Sequence, residues 1–156
     1  MQRIRTLITA HAERLNIDID MAINNALDFA HLTGRMENRG MLIGKNPTSS
    51  AQGLYQFIKG SIEPAINRLR RYIPNEMWMD VALVHKNASR LNWCEQTLLF
   101  LGDIFEKRGS KKYTRDILES GRRDAMLNCY LELHHTDPDQ ETIKRATQIF
   151  MTYEVI

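Results

Sequence analysis

Apolar residues recur every three to four positions along most of the chain, which is the period of helices with one buried face. Ile4, Leu7, Ile8, His11, Ala12 and Leu15 predict a first helix from about Gln2 to Leu15. Met21, Ile23, Ala26, Leu27, Ala30 and Leu32 predict a second, capped by Asp18 or Asp20 and running to about Arg35 or Glu37. Ser61 and Pro64 open a third, with Ile62, Ala65, Ile66, Leu69 and Ile73 as its inner face. Pro74-Asn75 opens another containing Met77, Trp78, Val81, Ala82, Leu83 and Val84, closed around Asn87. Asn92 caps a segment that is apolar almost all round, from Trp93 through Phe105, which Gly109 stops; it is expected at the centre of the core.

Ser110 starts a segment with Tyr113, Ile117 and Leu118, and Gly121 precedes one with Ala125, Met126, Cys129, Tyr130 and Leu133 that runs to His134-His135. Asp137-Pro138 reads as an N-cap followed by proline at the first helical position, leading a last helix with Ile143, Ala146, Ile149 and Phe150. About eight helices follow. No alternating apolar-polar run, repeat or linker is present, so the expectation is one all-α domain over residues 1–156, with at most a short strand at Met41-Leu42-Ile43.

The pattern breaks between Met36 and Ile58. Glu37 ends a periodic segment, and a polar loop with Gly40, Gly44, Asn46-Pro47, Thr48, Ser49 and Ser50 follows. Gly53-Leu54-Tyr55-Gln56-Phe57 then predicts a new amphipathic helix, its side chains alternating between core and cleft. A helix C-terminus is electronegative, which disfavours an ionised carboxylate, and a partly dry cleft acts in the same direction. Glu37 is therefore expected to hold its proton, as a general acid near neutral pH must. A solvated glutamate at a fraying helix end is the plainer alternative.

Composition narrows the class. At 156 residues and 18.2 kDa the chain can close one sizeable core, and 43% apolar residues with a net charge of only +2 exclude a disordered chain. Near-neutrality also argues against a nucleic-acid partner, so Arg68, Arg70 and Arg71 read first as a solvated face and second as an attraction to an anionic cell wall. Polar Thr6, Thr9, His11, Glu13 and Arg14 interrupt the basic N-terminus, so no signal-peptide core is predicted, and no run approaches a membrane span. Cys94 and Cys129 lack metal spacing and are expected as packed free thiols of a protein made in a reducing cytoplasm.

His134, His135 and Asp137 are adjacent rather than spaced for one helix face, so no metal is assigned. No nucleophile elbow surrounds any Ser or Cys, and no Gly-rich phosphate loop occurs. What remains is Glu37 and the stretch Ser50-Ala51-Gln52-Gly53-Leu54-Tyr55-Gln56-Phe57-Ile58, whose Gly53 lies sixteen residues on from Glu37. This pairing resembles the lysozyme-like lytic transglycosylases, in which one Glu is followed by Gly-Leu-Met-Gln or a close variant, and it is most similar to bacteriophage members.

The resemblance implies a lysozyme-like domain that cleaves the β-1,4 bond between N-acetylmuramic acid and N-acetylglucosamine, without a cofactor. Glu37 would be the catalytic acid and base. Ser50, Gly53, Leu54, Tyr55 and Gln56 would bind substrate, with the Gln56 amide offered to the sugar's N-acetyl group or to Glu37. The family's late tyrosine string, Ala-Tyr-Asn-Ala-Gly-Pro, is absent; its nearest counterpart is the stretch from Asn128 to Pro138, where Tyr130 is either a cleft residue or plain core. The serine that usually follows the family's Glu is also absent, and Asn38 stands in its place.

The implied partner is a peptidoglycan glycan strand, with no nucleic acid and no stable membrane insertion. The implied protein is a monomer made in the host cytoplasm that reaches the wall through a holin-type lesion or in a virion. Goose-type lysozymes share the motif type and hydrolyse with water, which keeps hydrolysis open as the outcome. A helical virion component without activity is the rival from another class.

Overall fold

Local signals place the first two helices where periodicity predicts them. The structure, a computed structural model, describes residues 1–38, 51, 53–74, 76–135 and 137–155. Helix α1 (Gln2–Leu15) buries Ile4, Leu7, Ile8, His11 and Ala12, and Asn16 ends it in the left-handed conformation at φ 55°. Asp18 Oδ1 accepts the Met21 N–H at 2.7 Å, so Asp18 caps α2 (Ile19–Asn38), while Asp20 instead pairs with Arg5 at 2.7 Å. Glu37 thus sits in the last turn of a 20-residue helix.

A 3-10 turn (Lys59–Ser61) leads into α3 (Ile62–Leu69), followed by α4 (Met77–His85), α5 (Trp93–Ile104), α6 (Lys111–Leu118), α7 (Arg123–Cys129) and α8 (Gln140–Thr152). The fold is all-α, with no sheet among the described residues. Asn92 and Glu95 form a reciprocal capping box at the start of α5, each side chain accepting the other residue's backbone N–H. Nine of the twelve α5 residues are buried, as a segment apolar on every side requires. Gly102 allows α3 to cross close by: a Cβ there would meet Leu69 Cδ1 at 2.6 Å and the Leu69 Cα at 3.2 Å.

Helix α2 touches α1, α5, α6 and α8, and one buried cluster draws on all eight helices. Its aromatic centre is Phe29, which meets Phe100 edge-on at 5.4 Å and Phe150 at 6.4 Å. No helix among the described residues is long and apolar enough to cross a membrane.

Three expectations change. Only Met79 and Ala82 of α4 are buried, while Met77 and Val84 are 83% and 78% exposed, because this short helix packs mainly on α3 and needs one narrow face. The α8 cap is Asp139, whose Oδ1 accepts from the Thr142 N–H at 2.7 Å; Asp137 has φ 59°, whereas a capping residue is normally extended. Arg68, Arg70 and Arg71 do more than face solvent, pairing with Asp103 at 2.6 Å, Asp80 at 2.7 Å and Glu106 at 3.1 Å.

The fourth change concerns the motif itself. Residues 53–56 form a tight turn, not the start of a helix, with Gly53 at φ 83° and Gln56 at φ 51°. Leu54, Tyr55 and Phe57 are all buried rather than alternating. The cause lies in α5. Gln96 Oε1 accepts the Leu54 N–H at 2.7 Å, the Tyr55 hydroxyl bonds Thr97 at 2.9 Å, and the Tyr55 ring stacks on Phe100 at 4.6 Å. These tethers hold the segment against α5 with Gly53 and Gln56 at positive φ, a backbone that a right-handed helix does not have. Ser50 and the suspected strand at Met41–Ile43 lie outside the described residues.

Candidate active site

Glu37 meets its partner from the far end of the chain. The Tyr130 hydroxyl donates a hydrogen bond to Glu37 Oε1 across 93 residues of sequence. The ring itself is fully buried and lies 5.2 Å from Phe150, so Tyr130 is a core residue by its ring and a site residue by its hydroxyl. Burial first, then the charge of Glu37, pushes the phenol well above its ordinary value, which keeps it a donor.

Local backbone geometry sets this up. Helix α7 widens at its end into one π-helical turn, Tyr130–His134, closed by the His135 N–H on the Tyr130 carbonyl at 2.8 Å. Such single π turns occur often at functional sites. A wider turn holds more than four residues, so Tyr130 and His134 fall on one face, with ring centroids 5.9 Å apart. Cys129, just before the turn, is an inert packed thiol that burial pushes up to about 12.

Glu37 opens onto a cleft of about 410 Å³. The 53–57 turn contributes Gln56 and Phe57 to it, the π turn contributes Leu133, His134 and His135, and Lys107 closes one side. Lys107 Nζ is held by the Leu133 carbonyl at 2.8 Å and by Asp103 at 3.2 Å. His134 Nε2 lies 2.8 Å from the Tyr55 carbonyl. A carbonyl only accepts, so Nε2 carries the proton, and the sealed Nδ1 has no partner among the described residues. Burial lowers the His134 pKa against the opposing pull of Glu37, which favours the neutral ring. His134 therefore clamps the motif turn to the π turn.

The predicted binding residues separate. Gln56 shares the cleft with Glu37, and its Nε2 donates to the Gly53 carbonyl at 2.7 Å, which helps hold the turn. Gly53, Leu54 and Tyr55 are buried and absent from the cleft lining. His134 and Lys107 were not foreseen as cleft residues. The spacing of Tyr130 and His134, four apart on a helical segment, carried a signal for the first; nothing local marked Lys107, which follows the end of α5.

Glu37 is the only carboxylate lining the cleft among the described residues, and residues 39–50 contain neither Asp nor Glu. Comparison with protein-family models, with curated proteins and with solved structures finds no match. No group of three metal-ligating side chains occurs among the described residues. The arrangement suits chemistry in which one carboxyl group moves a proton beside a bound ligand, oriented by a phenol that stays protonated.

Proposed function

We propose that this chain is a peptidoglycan-cleaving muramidase of the lysozyme-like lytic transglycosylase type, encoded by a bacteriophage and delivered to the host wall by virion or through a holin-type lesion. The observation that carries the reading is the Tyr130 hydroxyl on Glu37 at the mouth of the cleft. A solvated glutamate at a fraying helix end would have no such buried partner. The motif at Gly53–Phe57 adds a second wall to the same cleft.

In this mechanism Glu37, as the acid, gives its proton to the oxygen bridging N-acetylmuramic acid and N-acetylglucosamine. The C1–O bond breaks as oxocarbenium character grows on the muramic ring. Glu37, now a carboxylate, takes the proton of that ring's own 6-hydroxyl while O6 bonds to C1. The product is a 1,6-anhydro sugar, no water is consumed, and Glu37 regains its proton. Ordinary glycosidases place a second carboxylate in the cleft. Among the described residues Glu37 is the single acid lining this one, which favours internal closure.

The test is wall clearing by the purified protein beside its Glu37→Gln variant, which keeps the shape and removes the transferable proton. Activity should fall by at least ~10²-fold with the fold intact. A folded, fully active Glu37→Gln protein would end the proposal. Mass spectrometry of the digest should show anhydro-muropeptides; reducing ends alone would replace transglycosylation by hydrolysis.

A further inference from the structure

A second concavity, of about 480 Å³, runs along the flank of α2 and is bordered by Leu54 and Tyr55, the residues just before the two that wall the Glu37 cleft. Asn24, Asp28 and His31 line it at helical spacing, so they form one polar stripe on α2. Across from them stands Trp93, the first residue of α5, with its side chain 47% exposed inside a concave surface. An indole that is half open in a groove offers aromatic surface to a ligand. Val155 also lines the groove, and two residues before it Tyr153 stacks on His31 at 5.7 Å and lies under Arg35 at 5.0 Å.

Asp28 and Asn24 make no hydrogen bond among the described residues. Burial raises the Asp28 pKa, with Arg123 and His31 pulling it back, so this carboxylate is partly stripped of water without a bonded donor. A ligand that is apolar throughout would leave both groups unsatisfied. A pyranose matches the pair of demands, offering one face of C–H groups to an aromatic ring and a rim of hydroxyls to carboxylate and amide.

We propose that this groove is an accessory saccharide site, in which Trp93 stacks on an N-acetylhexosamine ring while Asp28 and Asn24 take hydrogen bonds from its hydroxyl and acetamido groups. The choice of sugar rests on the muramidase reading; the groove, its open indole and its unbonded carboxylate do not. Such a site holds a glycan strand beside the cleft and raises the local concentration of cleavable bonds there.

The chain has two tryptophans, Trp78 and Trp93, which makes the test direct. In a Glu37→Gln, Trp78→Phe protein, titration with the N-acetylglucosamine hexamer should give a saturable change in the emission of Trp93. Adding Asp28→Ala should weaken that binding by ~10-fold or more, the usual consequence of losing a hydrogen bond to a charged group. If Trp78→Phe fails to fold, the difference between titrations of Glu37→Gln with and without Trp93→Phe reads the same signal. Unchanged emission, or a change indifferent to Asp28→Ala, overturns the site. A response to peptide-bearing muropeptides but not to the peptide-free hexamer overturns the sugar assignment. Loss of wall clearing in Glu37→Gln alongside a silent Trp93 would sink this site alone, whereas full clearing by Glu37→Gln would sink the muramidase reading.

Discussion

Replacing Tyr130 by Phe removes one hydroxyl and leaves the rest of the buried ring, packed 5.2 Å from Phe150 and 5.9 Å from His134, in place. What is lost is the donor on Glu37 Oε1. A hydrogen bond to an ionised group contributes about 1.5–3 kcal/mol. If it orients Glu37 and stabilises the carboxylate left by proton donation, its loss costs roughly 10- to 150-fold in rate. Stability should change far less. Glu37 is only half-buried, so its freed oxygen can bind water, and a loss of about 1 kcal/mol or less is expected, ~2–4 °C in Tm for a chain of this size. Because the phenol is held far above its ordinary pKa, it donates throughout the working range, and the rate deficit should not vary with pH above neutrality. Initial rates of wall clearing at several substrate concentrations, beside thermal unfolding, provide the comparison. A Tyr130→Phe protein that matches the parent in kcat would refute the link between this hydroxyl and catalysis. Parallel losses of rate and stability would reassign Tyr130 to packing.

Two further predictions concern the scaffold. His11 is 4% exposed between Tyr72 and Phe105, and burial first, then Arg14, lowers its pKa from 6.5 to about 4, with Glu106 opposing. Below pH 6.5 the unfolded chain takes a proton that the folded chain refuses until about 4, so stability is full above that window and falls as pH drops through it. The fall amounts to at most about 3 kcal/mol at 1.36 kcal/mol per pH unit. Urea midpoints at pH 7, 5.5 and 4.5 should flatten in a His11→Leu protein, and an equal slope in both proteins would remove the imidazole as the cause. Gly53→Ala places a Cβ 2.5 Å from Gln96 Oε1 at φ 83°. The left-handed backbone costs ~1–2 kcal/mol and displacing Gln96 from the Leu54 N–H about as much again, so a loss of ~2–4 kcal/mol in denaturant titration is expected. A parent-like midpoint would contradict the tight turn.

Periodicity and capping chemistry determined α1 and α2 almost to the residue, and the Asn92–Glu95 box determined the start of α5. Those are short-range facts: a helical face repeats within four residues, and a cap bonds within three. The sequence therefore carried the all-α class and put Glu37 at a helix C-terminus. It could not say what would cover each apolar face. Helix α4 is rich in apolar residues, yet it packs mainly on α3 and leaves Met77 and Val84 exposed, whereas α5 packs on α1, α2 and α3.

Where distant groups compete for the backbone, tertiary structure decided. Gly53–Phe57 has the composition of an amphipathic helix, but Gln96 and Thr97, some forty residues away, bond the segment into a turn. The late segment reads as one continuous helix to His135, yet in the fold it widens at Tyr130 into the π turn. That turn brings the Tyr130 hydroxyl to Glu37 and the His134 ring to the Tyr55 carbonyl. The sequence offered Tyr130 as a candidate cleft residue and spaced His134 four residues on, but the partner of each is set by how α2, the turn and the end of α7 pack around one core. The same holds for Trp93, which reads as an ordinary core position of α5 and stands half-open where it lines the groove along α2.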